Sequence, residues 1–133
     1  VMGGVFSEGI DLMGEKLIGA VIVGTGLPQI GTEREILRQY YDKKGANGFD
    51  YAYRYPGMNK VLQSAGRVIR TQEDTGIILL LDERFAGNDY RNLFPVEWSD
   101  RGTCTLNTVE EQLRQFWDNA KENTLSSDQE KNS

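Results

Sequence analysis

Blocks of apolar residues alternate with polar, turn-forming segments along the chain, and the spacing within each block predicts its element. Residues 1–6 are short and apolar, end in Ser7-Glu8-Gly9, and predict a buried strand followed by a loop. Residues 17–23 form a β-branched run between Gly14 and Gly24-Thr25-Gly26, the pattern of a strand covered on both faces. Thr32 and Glu35 have the spacing of a capping box and predict a helix to about Lys44, stopped by Gly45. Residues 47–57, holding Phe49, Tyr51, Tyr53 and Tyr55, read as an aromatic, turn-rich loop closed by Pro56-Gly57. In the next helix, ending near Arg70, Met58, Val61, Leu62, Ala65, Val68 and Ile69 recur at three- and four-residue steps and lay a buried stripe along one side.

Asp74-Thr75-Gly76 signals a turn, and the five apolar residues 77–81 predict a third buried strand ended by Asp82-Glu83-Arg84. Fully apolar strands separated by helices predict an α/β fold with a mostly parallel sheet and flanking helices. After an irregular stretch, Thr108 and Glu111 resemble a second capping box, opening a helix to about Lys121. The polar residues 123–133 read as a disordered tail, which leaves residues 1–122 as one domain.

Composition narrows the chemistry. A length of 133 residues allows one domain. The absence of histidine excludes Ser-His-Asp and Cys-His catalysis and histidine metal sites. Cys104 is the single cysteine, so the chain forms no internal disulfide and holds no iron–sulfur cluster, and the expected setting is a reducing cytoplasm. A net charge of -5 argues against nucleic-acid binding by bulk electrostatics, so any phosphate-binding surface is local. No apolar run approaches the roughly 20 residues that span a bilayer, and no basic residue precedes the first apolar run, which does not fit a signal peptide. A chain that opens inside a strand is expected to be a piece of a longer protein.

Two constellations could carry chemistry. Residues 6–12, Phe-Ser-Glu-Gly-Ile-Asp-Leu, leave the carboxyl end of the first strand, where open α/β sheets bind ligands. Ser7 and the backbone around Gly9 could meet a phosphate and Asp11 a sugar hydroxyl, but an ordinary strand-to-helix turn has the same composition. Gln63, Gly66, Arg67 and Arg70 fall at helical steps on the face opposite the apolar stripe. Two guanidinium forks there suit phosphate, and a glycine inside a helix, costing roughly 1 kcal/mol, suits close approach by a ligand. Between residues 51 and 72 the charges are Arg54, Lys60, Arg67 and Arg70 with no acid, which reads as a local basic patch, a solvated helix face being the lesser alternative. The aromatic group at residues 49–55 could stack bases, although local packing explains it more simply. Gly24 to Gly31 has the wrong spacing for a dinucleotide-binding loop, and no P-loop occurs.

Four separated segments resemble, in order, motifs of superfamily 2 helicases and more narrowly the C-terminal motor domain of the XPD/DinG-like DNA helicases. These are Ser-Glu-Gly-Ile-Asp at residues 7–11, Gly26-Leu27-Pro28, Gln63 through Arg70, and Asp82-Glu83-Arg84-Phe85. The resemblance covers roughly residues 1–98. It implies the C-terminal portion of the second RecA-like domain, of P-loop NTPase type, at residues 1–122, with ATP bound between that domain and a first one that carries the P-loop and the acidic Mg²⁺-binding motif. In many members that first domain also holds an iron–sulfur cluster.

By resemblance, Arg67 and Arg70 would face the γ-phosphate as catalytic groups. Gln63, Gly66, Gly9 and Asp11 would attend the nucleotide, and Ser7, Glu8 and Thr25 would touch DNA. The implied function is ATP-driven translocation on single-stranded DNA, 5′ to 3′, with unwinding of duplexes in repair or replication. The implied partners are single-stranded or forked DNA and the first RecA-like domain. A non-hydrolysing nucleic-acid-binding or regulatory module with the same fold, or the helicase part of a helicase–exonuclease fusion, would carry the same motifs. The chain alone, lacking the groups that hold Mg²⁺ and the β-phosphate, is expected to hold no cofactor by itself, to show no ATPase and to self-associate through uncovered strands.

Overall fold

A computed structural model describes residues 19–72 and 74–131. The segment containing Ser7, Glu8, Gly9 and Asp11, with the strand predicted at residues 1–6, lies outside the described residues. The chain divides after Phe94 into two compact units.

In the first unit, β1 (Gly19–Val23) pairs in parallel with β2 (Ile77–Leu81), in a register that sets Gly19 opposite Ile77 and Val23 opposite Leu81. A parallel neighbour requires a crossover, which here contains α1 (Thr32–Lys43), a π-helical turn (Asp50–Arg54) and α2 (Tyr55–Ala65). A 3₁₀ turn (Glu83–Ala86) and a short α3 (Asn88–Arg91) follow β2. The strands, the parallel pairing and the helical crossover agree with the sequence reading, and the fold is α/β.

Several local expectations are corrected. β1 is not covered on both faces, because Val21 and Val23 are 59% and 71% exposed while Ile22 between them is 3% exposed. That period-two burial is what a sheet covered on one side produces. Thr32 does not cap α1. Gly31 occupies the cap position in extended conformation without a side-chain bond, and the Glu35 carboxylate is taken by Tyr53 and Arg38. The far end closes as the glycine predicts. Gly45, at φ +79°, donates its N–H to the Asp42 carbonyl and Ala46 donates to the Tyr41 carbonyl, a Schellman closure.

The aromatic segment is helical. Residues 50–54 make the π-helical turn that runs directly into α2, with Pro56 in the first turn of α2, and the Ala52 carbonyl that its missing N–H leaves open, four residues back, is taken by Arg34 at 2.8 Å. The i, i+4 ring pairs Phe49–Tyr53 and Tyr51–Tyr55 fit helical spacing, and the period-two alternation is the sum of these two pairs. The α-helix ends at Ala65 rather than near Arg70, with turns through Val68. Met58, Val61, Ala65 and Val68 of the expected stripe are buried, Leu62 is half-buried, and Ile69, past the helix end, is 41% exposed.

In the second unit, α4 (Val109–Lys131) is preceded by a 3₁₀ turn (Val96–Trp98). The Thr108 hydroxyl accepts from the Thr105 N–H at 2.9 Å, so it serves the preceding turn and not a capping box. The helix continues past Lys121, and residues 123–131, read as a disordered tail, are helical. Thr124 and Ser126 return their hydroxyls to the Ala120 and Glu122 carbonyls, at 3.0 and 2.9 Å, which keeps polar residues inside the helix. Among the described residues, no helix is long and apolar enough to cross a membrane.

Candidate nucleotide and nucleic-acid site

The carboxyl edge of the parallel pair is the place where an open α/β sheet offers loops to a ligand. The Gly24 N–H donates to the Leu81 carbonyl at 3.2 Å and carries the ladder one step beyond β1. The chain then enters Gly24-Thr25-Gly26-Leu27-Pro28, with Gly24 at φ +82° and Gly26 at φ +65°, the left-handed region that favours glycine. This loop lies backbone to backbone on Gly57 at the start of α2. A Cβ added at Gly57 would sit 2.7 Å from the Thr25 carbonyl oxygen, and one at Gly26 would sit 2.9 Å from the Gly57 carbonyl oxygen. The G-x-P segment and the helix carrying Gln63 are therefore joined by a contact that only two glycines allow. Thr25, a candidate DNA contact, is 1% exposed, and its hydroxyl has no hydrogen-bond partner.

Gln63 stands exposed on the last turn of α2. Gly66 follows as the helix C-cap at φ −64°, and a Cβ there would come no closer than 3.4 Å to the Leu62 carbonyl oxygen. Gly66 thus stands at the helix end with helical dihedrals and room for a Cβ, so no close approach among the described residues requires a glycine here. Arg67 is half-buried in the turn beyond, and Arg70 lies past the helical turns. A shared helix face thus brings together Gln63 and the start of this turn but does not extend to Arg70. The segment is instead fixed by Asp74, whose carboxylate accepts the backbone N–H groups of Arg70 and Thr71, each at 2.9 Å.

The basic patch is smaller than the sequence suggests. Arg54 is bonded to Asp50, one helical turn before it, and lies 3.5 Å from Asp89. Its guanidinium also sits 5.3 Å from the Phe49 ring and 5.4 Å from the Tyr90 ring. Asp50 falls one residue outside the acid-free window, and its i, i+4 spacing to Arg54 was the available signal.

A second polar cluster escaped the sequence reading. The Tyr53 hydroxyl donates to Glu35 at 2.5 Å, and Arg38 donates to the same carboxylate at 2.8 and 3.0 Å. Arg34 donates to the Ala52 carbonyl at 2.8 Å. The Tyr53 hydrogen bond, followed by those from Arg38, holds the Glu35 carboxyl below its ordinary range, and the same bond to Glu35 raises the Tyr53 phenol. These bonds fasten the π-helical turn to α1. The i, i+3 spacing of Glu35 and Arg38 gave a partial signal, whereas the Tyr53 contact bridges 18 positions and gave none.

The Asp-x-Arg-Phe segment leaves the same sheet edge from β2. Asp82 caps the 3₁₀ turn by accepting the Arg84 N–H at 2.9 Å, and the Arg84 guanidinium returns to it at 2.7 and 2.9 Å. Phe85 is buried against Tyr90 and Phe94. The Arg84 side chain is the main cause that holds the Asp82 carboxyl down to about 2, against an ordinary 3.8. Because the folded value is depressed, the pair stabilises the fold above the ordinary value and loses that contribution as the pH falls from about 4 through about 2. An NMR titration should place the Asp82 midpoint near 2, and Arg84→Ala should return it towards the ordinary value. A midpoint near 4 in the unaltered protein would refute the pairing.

With this geometry in place, similarity to known proteins becomes informative. The helicase C-terminal domain family matches residues 1–101. Over 89 residues the chain is 36% identical to the ATP-dependent DNA helicase DinG of Photobacterium profundum, covering 65% of this chain and 13% of the relative. It is 33% identical over 92 residues to a probable ATP-dependent helicase of Methanocaldococcus jannaschii, covering 62% and 14%. It is 32% identical over 101 residues to the XPD helicase subunit of general transcription and DNA repair factor IIH from Dictyostelium discoideum, covering 74% and 13%. The chain thus spans 13–14% of the length of these relatives.

Proposed function

We infer the function from the premise that the chain belongs to the helicase C-terminal domain family, as the C-terminal domain of an XPD/DinG-like superfamily 2 helicase. The chain is part of the second RecA-like motor domain of an ATP-dependent DNA helicase that moves 5′ to 3′ along single-stranded DNA and opens duplexes in repair or replication. The observation that carries this reading is the order Gln63, Gly66, Arg67, with Gln63 on the final turn of α2 and the arginine just beyond it, all anchored to the G-x-P loop through Gly57.

The donors present suit a polyphosphate. Arg67 and Arg70 supply guanidinium groups, Gln63 supplies an amide, and the exposed backbone at Gly66 admits close approach. ATP and Mg²⁺ would be held mainly by the first RecA-like domain, whose P-loop and acidic motif this chain does not contain. Bound Mg²⁺ supplies charge neutralisation between the phosphates. Arg67 and Arg70 stabilise negative charge on the transferring group when the cleft closes, which ties hydrolysis to domain movement. Ser7, Glu8, Gly9 and Asp11 contact DNA and the nucleotide sugar in this reading. Self-association of the isolated chain follows from the uncovered strand face at Val21, Val23 and Leu81.

The reading is tested on the full-length protein with a labelled duplex bearing a 5′ or a 3′ single-stranded tail. ATP-dependent displacement should occur from the 5′-tailed duplex and be weak on the 3′-tailed one, and the 133-residue chain alone should show no ATPase. A full-length protein whose ATP hydrolysis ignores single-stranded DNA would overturn it.

A further inference from the structure

We propose that the tyrosine cluster shared by α1, the π-helical turn and the first residue of α2 is a base-stacking surface for single-stranded DNA. The proposal rests on the DNA-helicase reading above and extends it to residues outside the arginine motif. Tyr41 and Tyr51 lie nearly parallel, 4.1 Å apart at 11°. Tyr40 meets Tyr41 edge-on at 5.3 Å and Tyr55 meets Tyr51 edge-on at 5.2 Å. The four rings form one continuous aromatic surface held by the Glu35, Arg38 and Tyr53 bonds, so its geometry is set before any ligand arrives.

Aromatic clusters that serve only packing are usually buried, since a ring removes 150–250 Å² from water. Here Tyr40 is 49% exposed and Tyr51 42% exposed. Two lysines stand at the rim, while the neighbouring acids are engaged elsewhere, Asp42 by the Gly48 N–H and Arg38, and Asp50 by Arg54. Lys44 Nζ lies 4.7 Å from the centre of the Tyr40 ring, and Lys43 beside it is exposed. An apolar protein partner over these rings would have to desolvate the two ammonium groups without compensation. Single-stranded DNA supplies what both halves of the surface lack, flat bases for the rings and phosphates for the lysines. Every base has a π face, so such a surface tolerates any sequence, as a translocating motor requires.

The experiment compares binding of labelled oligo-dT with that of an abasic strand of the same length and charge to the full-length protein at one salt concentration. Tyr40→Leu and Tyr51→Leu keep apolar bulk but remove the aromatic face, whereas Tyr51→Phe keeps it. Each Leu variant should bind oligo-dT roughly 5- to 100-fold more weakly, the loss expected for one stacked base. Tyr51→Phe should bind like the unaltered protein, and affinity for the abasic strand should not change. Unchanged oligo-dT affinity in both Leu variants, or an equal loss on the abasic strand, would overturn the platform while leaving the helicase reading intact. An unaltered protein that binds neither strand would defeat both. If Tyr51→Leu fails to fold, the exposed Tyr40→Leu decides the question.

Discussion

Arg67→Ala in the full-length protein should lower kcat for ATP hydrolysis by roughly 10³-fold or more, the range of an arginine finger. The expectation comes from how charge moves. In the loose transition state negative charge spreads over the oxygens of the departing phosphoryl group, and a planar guanidinium offers two donors to it without reorganising. A group supplied from the facing domain acts only in the closed cleft, so the loss should fall on kcat more than on nucleotide affinity. Arg67 lies in the turn after α2, outside the buried stripe of Met58, Val61 and Ala65. Arg67→Lys should recover little, because an ammonium lacks the fork. Arg70→Ala carries the same expectation from its motif position. Single-turnover hydrolysis at saturating single-stranded DNA reads the step directly, and near-normal rates for Arg67→Ala would end the assignment.

The second large effect is on folding and follows from three glycines in different settings. Gly57→Ala should destabilise by about 3 kcal/mol, because the new methyl would lie 2.7 Å from the Thr25 carbonyl oxygen and 3.1 Å from backbone atoms of Gly26 and Leu27. None of these is the movable end of a side chain, so α2 or the loop must shift. Gly48→Ala should do at least as much harm, with its methyl 2.0 Å from the Arg38 carbonyl oxygen and the Asp42 bond to its N–H displaced. Gly66→Ala is the counterpart, since its nearest neighbour is 3.4 Å away and its φ is already helical. It should be neutral or stabilising by up to about 1 kcal/mol. Urea denaturation of the three variants settles the order, and a Gly57→Ala variant as stable as the parent would show that the loop and helix do not meet as described.

Legibility in the sequence differed from element to element. Apolar strands with a helical crossover imply parallel pairing, because antiparallel strands need no crossover, so β1 and β2 were legible. So was the glycine stop at Gly45, where a local backbone requirement writes itself into residue type. Gly57 was legible only as turn punctuation after Pro56. Its true constraint is the backbone of residues 25–27, about thirty positions earlier, and no local pattern encodes that. The aromatic segment failed for another reason. Two interleaved i, i+4 ring pairs look identical to a period-two alternation, and only the helix that joins them separates the two readings. At the candidate site, motif order fixed which residues to inspect, but not that the helix ends at Ala65, which separates Arg70 from the face that carries Gln63.

The parallel pairing of β1 with β2 also has a consequence for the timing of synthesis. Gly19 and its partner Ile77 are almost sixty positions apart, and a ribosome adding roughly 5–20 residues per second needs about 3 to 12 s to make the intervening chain. Throughout that interval β1 has no partner among the described strands, while its alternate residues Val21 and Val23 carry the apolar surface that stays exposed even after pairing. The helices of the crossover can form meanwhile from local contacts. The backbone contact of Gly57 with the Thr25–Leu27 loop involves no residue of β2, so it can hold the end of β1 in place before the two strands pair.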